Sequence, residues 1–415
     1  MGRDLSNQPI FIVGAPRSGT TLLSAFLAGH PRIACGPETQ FFSKLELRQL
    51  NAAVRDRDWP SKGVELLKSL TLSGESVCQL YGLDTGTITA YLRQHPPSIA
   101  ALLEALTVLH AQKSEKPRWA EKTPNHLLHL RSLQSAFPKA IILRIVRDPR
   151  DSALSMRKLP WASQSVLANC YLWDEWFRRS HWFFAKNEQA LTIRYEDLLA
   201  RPTELLRQVC EHVGESFEPG MLNTAKAAAS VAPSNEPWKR QVSQPLDPSR
   251  AYVWKHELPQ SLWPATSHIC QAGIKAFGYE LTSEPDKTVF VYALNRRFIE
   301  ANTSLLVSAA EGRMHLSPVQ AETLTDGKRY SDLMFCDLPD CGQTKGQRLV
   351  GACLFVMMLI RRRLRGNANS YLPFCLSTDK SVKVGTDRSV CAFFLKLLGK
   401  KTEFSLENSP LEVSS

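Results

Sequence analysis

Gly14-Ala15-Pro16-Arg17-Ser18-Gly19-Thr20-Thr21 sets small residues, one cation and three hydroxyls between an apolar run and a helix-forming run. A turn of this kind leaves backbone N–H groups free at a helix N-terminus, where the helix dipole adds positive potential, and that arrangement binds phosphate. A nucleotide-hydrolysing loop would read G-x4-G-K-[ST], its Lys reaching the terminal phosphates and its hydroxyl holding Mg²⁺. Here Thr20 occupies the Lys slot, and Arg17, ahead of the second glycine, is the loop's single cation. A second constellation is Arg147-Asp148-Pro149-Arg150-Asp151-Ser152-Ala153-Leu154-Ser155. Arg147 offers a planar fork of donors and Ser155 a hydroxyl, a workable clamp for a phosphate monoester. His30 and His126 are further candidates for a base, although His30, before Pro31, reads as a structural cap at a helix end.

The elements that must position these groups read as α/β. Ile10-Phe11-Ile12-Val13 is a short apolar run bounded by Pro9 and Gly14, as a buried parallel strand requires. A helix is expected from about Ser18-Gly19 through Leu22, Leu23, Phe26 and Leu27 to Gly29-His30-Pro31. Residues 40–135 read as mostly helical, broken at Trp59-Pro60, Gly82 to Gly86 and His95-Pro96-Pro97. A second strand, Ala140 to Val146, runs into Asp148 as N-cap with Pro149 at the first helical position, which puts Arg147 at the carboxyl edge of the sheet, where open α/β folds bind ligands. A third strand, Leu191 to Tyr195, precedes a helix opened by Pro202 and closed near Gly214. The expectation is a P-loop-like three-layer fold, a central parallel sheet flanked by helices, over residues 1–285. Residues 286–415 form a C-terminal appendage, partly helical over 290–309 and 349–365, with a Ser/Asn/Lys-rich end whose composition suits disorder.

Composition bounds the partners. Of 415 residues 43% are apolar, enough for a well-filled core, and the formal net charge is +11. The last 130 residues hold 18 Lys and Arg against 13 Asp and Glu, so the excess is spread along the chain and is not a basic tail. A basic surface suits anionic nucleotides, sulfated or phosphorylated acceptors, nucleic acid or a membrane face, and does not choose among them. The ten cysteines, with Cys336 and Cys341 the closest pair, show neither a disulfide framework nor zinc-ligand spacing, so reduced thiols, a cytoplasmic location and no metal site are expected. No apolar run precedes Pro9, and the twelve-residue apolar run Leu349 to Ile360 is too short to span a bilayer. Followed by Arg361-Arg362-Arg363-Leu364-Arg365, it leaves open a peripheral membrane contact through 349–365, against the plainer reading of a packed helix with a solvated basic end.

Taken together, the loop and the Arg147–Ser155 pair resemble the PAPS-dependent sulfotransferases, in the bacterial branch that shares motifs with protein-tyrosine sulfotransferases. The similarity covers about residues 9–280. It implies that Pro16, Arg17, Ser18, Gly19, Thr20 and Thr21 hold the 5′-phosphosulfate of 3′-phosphoadenylyl sulfate (PAPS), that Arg147 and Ser155 hold its 3′-phosphate, and that Tyr195 lines the nucleotide site. Cys35-Gly36-Pro37-Glu38-Thr39 implies Glu38 as general base, and Glu121-Lys122-Thr123-Pro124-Asn125 implies Lys122 as a cation on the transferring sulfuryl group, beside Arg17. A glutamate base needs partial desolvation to lift it from its ordinary pKa of roughly 4.3. The tyrosine enzymes carry an arginine soon after that glutamate, where this chain has Gln40. The segment Trp238 to Ser243 and Ser249-Arg250 to Trp254-Lys255 resembles the family's nucleotide-closing loop, with the choice between Ser243 and Arg250 left open.

The expected activity is sulfuryl transfer from PAPS to a hydroxyl on a small molecule, carbohydrate, lipid or peptide, by in-line displacement without a metal. Nucleic acid is not expected as a partner, and a homodimer is left open. Two alternatives are carried: a P-loop kinase or NTPase, with Asp148 as the Mg²⁺-holding acid, and a non-catalytic, membrane-associated nucleotide-binding scaffold.

Overall fold

Strand β1 (Ile10–Val13) is buried along its whole length, and its alternation divides it between two layers. Phe11 and Val13 enter one apolar core while Ile10 and Ile12 enter another, as a strand covered by helices on both faces must do. The computed structural model describes residues 8–159, 162 and 166–282. The expected helices over 290–309 and 349–365, and the cysteines from Cys336 on, lie outside the described residues.

Four more strands join β1: β2 (Ile33–Cys35), β3 (Arg118–Lys122), β4 (Ile141–Val146) and β5 (Ala190–Arg194). All pairings are parallel, in the order β2-β3-β1-β4-β5. The chain runs outward from β1 to the edge strand β2, returns through β3, and crosses to β4 on the other side. The order reverses at β1, so the loops after β1 and β4 open on one crevice at the carboxyl edge. Ile12 lies opposite Lys122, and Val13 opposite Arg144, which sets the register of three loops at once.

The helices that cover the sheet are α1 (Thr20–Ala28), α2 (Ile99–Lys113), α3 (Pro149–Met156), α4 (Val166–Phe184), α5 (Tyr195–Ala200), α6 (Pro202–Val213) and α7 (Thr224–Val231). On one face Leu23 and Phe26 of α1, Leu206 and Val209 of α6 and Val231 of α7 pack on Ile10, Ile12 and Ile145. On the other, Leu102 of α2 and Trp173 and Trp176 of α4 share a core with Phe11 and Ile142. Asp148 caps α3, accepting from the Arg150 N–H at 3.0 Å, with Pro149 at its first position. α6 runs from Pro202 to Gly214, which closes it in the left-handed conformation at φ 77°. Among the described residues no helix is long and apolar enough to cross a membrane.

The expected three-layer α/β fold is present, with four local corrections. β3 falls inside the stretch read as mostly helical. Arg-Trp-Ala-Glu-Lys is not an apolar run, and its charges are buried only because tertiary partners meet them: Arg118 donates to the Val213 carbonyl at 2.7 Å and to Glu215 at 3.0 Å. β2, at three residues, is too short for periodicity to register. α1 begins at Thr20, and the third strand stops at Arg194, because Tyr195 already opens α5.

Candidate active site

Every strand of the sheet delivers a sequence-predicted residue at its carboxyl end. β1 runs into the loop with Pro16, Arg17, Ser18 and Gly19, and Thr20 and Thr21 form the first turn of α1. Glu38 follows β2, Lys122 ends β3, Arg147 follows β4, and Tyr195 follows β5. Ser155 arrives from α3.

The loop is shaped by two glycines. Gly19 sits at φ 98°, and a Cβ there would lie 2.4 Å from Cδ2 of Tyr195; one on Gly14 would lie 2.6 Å from the carbonyl oxygen of Ile145. Both positions exclude a side chain, the first on conformation and space, the second on space alone. Arg17, itself at φ 65°, donates from Nε to Ser155 Oγ at 3.1 Å and from a terminal nitrogen to the Trp238 carbonyl at 3.3 Å. Arg147 lies over the Tyr195 ring at 4.6 Å and donates to the Arg17 carbonyl at 3.4 Å, to Asp151 at 3.4 Å and to the Arg250 carbonyl at 2.8 Å. Ser155 therefore meets Arg17, and Arg147 joins them through the loop backbone. Burial, together with the charges of Arg147 and Arg250, pulls the Arg17 guanidinium down to about 10. The hydroxyl of Ser18 and Nε of Arg147 are buried without a hydrogen-bond partner. Crowded cations and orphaned donors at a helix N-terminus fit a bound anion, and a phosphorylated donor supplies one.

The second half of the site is a buried ion cluster. Lys122 donates to Glu38 Oε1 at 2.8 Å, and Lys239 donates to the same oxygen and to Glu236 Oε2, each at 2.5 Å. Gln40 Nε2 donates to the other oxygen of Glu38 at 2.7 Å. Burial by itself would raise the Glu38 carboxyl, but the charges and hydrogen bonds of Lys122 and Lys239 outweigh it and hold the group down at about 2. The desolvation expected of a general base is present, yet its effect is reversed by two ammonium groups. Lys122 is pulled down by burial, since it has one carboxylate oxygen and shares it. Lys239 is also buried, but two carboxylates push it up.

The turn Pro237–Ser243 joins the halves, because Trp238 accepts from Arg17 while Lys239 reaches Glu38. A small hairpin, Thr71–Leu72 paired with Glu75–Ser76, meets the two residues before that turn: Asn235 donates to the Leu72 carbonyl at 3.0 Å and Ser73 to Glu236 at 3.3 Å. Ser243 donates to the carbonyl of Arg240 and is half-buried, whereas the Arg250 backbone touches Arg147.

Sequence reasoning gave no role to Lys239, inside the segment Trp238 to Ser243, to Glu236, just ahead of that segment, or to Glu121, the neighbour of Lys122. Glu121 holds the backbone next to Glu38: its Oε1 accepts from the N–H of Thr39 at 3.3 Å and from the hydroxyls of Thr39 and Thr123 at 2.8 and 2.6 Å. The other oxygen faces Nδ1 of His126 at 2.9 Å, while Nε2 of His126 accepts from the N–H of Phe42 at 3.1 Å. Nε2 of His126 is thus hydrogen-bonded, and Nδ1 lies at ion-pair distance from Glu121. Both ring nitrogens of His30 are engaged, with the N–H of Arg32 at 3.1 Å and the carbonyl of Ser216 at 2.9 Å. Both histidines are buried. Alternation along β3 explains the pairing of roles, since Glu121 and Lys122 must leave the strand on opposite faces.

A strand-loop-helix anion site beside a buried acid–lysine pair defines a group-transfer enzyme of the sulfotransferase class, and comparison with known proteins agrees. A model of the Sulfotransferase family matches residues 9–219. Protein-tyrosine sulfotransferase 2 of Gallus gallus is 25% identical over 291 residues, covering 66% of this chain and 70% of that protein. Protein-tyrosine sulfotransferase 1 of Homo sapiens is 33% identical over 148 residues, covering 35% of this chain and 33% of that protein. The chain spans about two thirds of the length of the longer-matching relatives. Among solved structures, a sulfotransferase domain from the curacin biosynthetic pathway covers 66% of this chain and 99% of its own, with a TM-score of 0.50 at 21% identity, a likeness of fold. The chain belongs to the sulfotransferase family. It is a PAPS-dependent sulfotransferase.

Proposed function

We propose that the chain moves the sulfuryl group of PAPS to a hydroxyl acceptor by in-line displacement, with Glu38 as general base. The observation that carries this is the buried Glu38–Lys122 pair, linked through the turn Pro237–Ser243 to Arg17 of the phosphate-type loop. The donor's 5′-phosphosulfate meets Pro16 to Thr21, with Ser18 Oγ supplying a hydrogen bond. Arg147 and Ser155 take the 3′-phosphate, and Tyr195 packs beside them. The acceptor oxygen bonds to sulfur as the sulfur–oxygen bond to the 5′-phosphate breaks. The acceptor proton passes to Glu38, and the electron pair leaves with adenosine 3′,5′-bisphosphate. Arg17 and Lys122 neutralise the oxygens on which charge develops, so protein cations do the work a metal does in phosphoryl transfer.

The kinase or NTPase reading loses its acid. Both oxygens of Asp148 are occupied by Arg150, through Nε at 2.9 Å and a terminal nitrogen at 2.7 Å, and Asp148 serves as a helix cap. The acceptor is a hydroxyl compound, and tyrosine in a peptide is the first class to test, because the relatives above are named for it. Against an acidic peptide stands Gln40, an amide already committed to Glu38. A cytoplasmic location belongs to the same proposal, supported by five unpaired, buried cysteines among the described residues.

The test is transfer of labelled sulfate from PAPS, in EDTA, to phenol, sugar, lipid-headgroup and tyrosyl-peptide acceptors, with Glu38→Gln alongside. We expect transfer to one class in the wild type, none in the variant, and equal affinity of both for adenosine 3′,5′-bisphosphate. Wild-type turnover by Glu38→Gln would move the base elsewhere, and dependence on a divalent cation would reopen the phosphoryl-transfer reading.

A further inference from the structure

We propose that Lys239 is a further catalytic residue: it covers Glu38 until a donor phosphate draws it away, and then contacts that phosphate. The inference rests on Glu38 being the base. Two ammonium groups share one oxygen of Glu38, and Gln40 occupies the other, so the carboxylate as it stands has no convenient place for an acceptor hydroxyl. One of these partners has to leave before a proton can be taken. Lys122 ends a central strand that is paired on both sides, and it is fully buried. Lys239 sits on a short turn whose preceding carbonyl, that of Trp238, is held by Arg17.

Arg17 is the donor loop's cation, and a guanidinium prefers a phosphate to a neutral carbonyl. When Arg17 turns to the donor, the turn loses that tether at the moment a new anion enters next to it. The charges favour the exchange. Glu38, Glu236, Lys122 and Lys239 balance among themselves, whereas Arg17, Arg147 and Arg250 crowd the donor side with positive charge. An incoming phosphate is attractive to Lys239, and Glu38 keeps Lys122 as its counter-ion. Glu38 is then an ionised base with one oxygen released, and it takes the acceptor proton as the sulfur–oxygen bond breaks. The other groups around this pair are Glu236, the residue before the turn, bonded to Lys239; Gln40, bonded to Glu38; and Tyr81, which interacts electrostatically with Glu38 and whose hydroxyl donates to the Pro37 carbonyl at 2.8 Å. The arrangement ties release of the base to donor occupancy, so a lone acceptor finds the carboxylate covered.

The test is a carbon-13 NMR titration of glutamate-labelled full-length chain, with the Glu38 resonance assigned by its loss in Glu38→Gln. It is run with and without adenosine 3′,5′-bisphosphate, whose affinity is measured in parallel by calorimetry. In the wild type we expect nucleotide to raise the Glu38 midpoint by about one pH unit or more. In Lys239→Met the midpoint is already raised without nucleotide and moves no further, and nucleotide affinity falls about tenfold or more, the value of one charge-assisted contact. Lys239→Met combined with Glu236→Gln keeps the cluster neutral and reads the same effects if the single variant fails to fold. Nucleotide that binds the wild type and leaves Glu38 unmoved, or that binds the Lys239 variants at full strength, overturns the proposal. Failure of nucleotide to bind the wild type overturns the donor-site reading itself, and a Glu38→Gln variant that still transfers sulfate removes the base on which the inference rests.

Discussion

Replacing Gly19 by alanine adds one methyl group where the loop after β1 touches Tyr195, and the cost of that methyl can be divided with the help of other glycines. Gly19 and Gly74 share the left-handed backbone region, at φ 98° and 90°. An L-residue there costs about 1–2 kcal/mol. Around Gly74 a Cβ meets nothing within 4 Å, so Gly74→Ala should show the conformational cost alone. At Gly19 the Cβ falls 2.4 Å from Tyr195 Cδ2 and 3.2 Å from Ile145 Cδ1, so the ring has to move. Overpacking of this sort adds about 1–3 kcal/mol, bringing Gly19→Ala to roughly 2–5 kcal/mol. Gly220, with open space and no positive φ, is the baseline, where alanine should be neutral or slightly stabilising. The displaced ring also stops supporting Arg147, which lies 4.6 Å above it. A cation–π contact is worth about 0.5–2 kcal/mol, so affinity for adenosine 3′,5′-bisphosphate should fall about two- to thirtyfold. Urea unfolding of the three variants measures the first quantity and calorimetry the second. Equal losses at Gly19 and Gly74, with unchanged nucleotide affinity, would refute the claim that Tyr195 and the loop glycine are fitted to each other.

Arg147→Ala should weaken adenosine 3′,5′-bisphosphate by about 1.5–3 kcal/mol, one charge-assisted hydrogen bond, read by calorimetry in EDTA; unchanged affinity would take Arg147 out of the clamp. Glu38, held down at about 2 from an ordinary 4.5, contributes stability that is complete above about pH 4.5 and is lost as pH falls through about 2. The depression corresponds to roughly 3 kcal/mol, and Glu38→Gln should flatten the stability–pH curve in that window, measured by urea unfolding at successive pH values. A variant curve as steep as the wild type's would mean that Glu38 is not depressed in the folded state.

Much of the frame is legible in the residues alone. Ile10–Val13 and Ile141–Val146 were legible because a strand buried on both faces is mostly apolar, with Arg144 the one charge in the second, and the loop after the first was legible because its glycines and hydroxyls serve the local backbone. The Asp148 cap and the Pro202–Gly214 helix were legible for the same reason, since caps and stops act over a few residues. β3 was not, because its arginine, glutamate and lysine are buried by partners distant in sequence, Glu215 for Arg118 and Glu38 for Lys122. The ionisation of Glu38 was also beyond reach. Its position after β2 is local, but its charge is governed by Lys122, 84 residues on, and by Lys239, 201 residues on, and only folding brings them to one oxygen. Residue types announced an anion site and an acid. Whether that acid stands free or covered is decided by Coulomb interactions in a buried cluster, and those exist only in the tertiary structure.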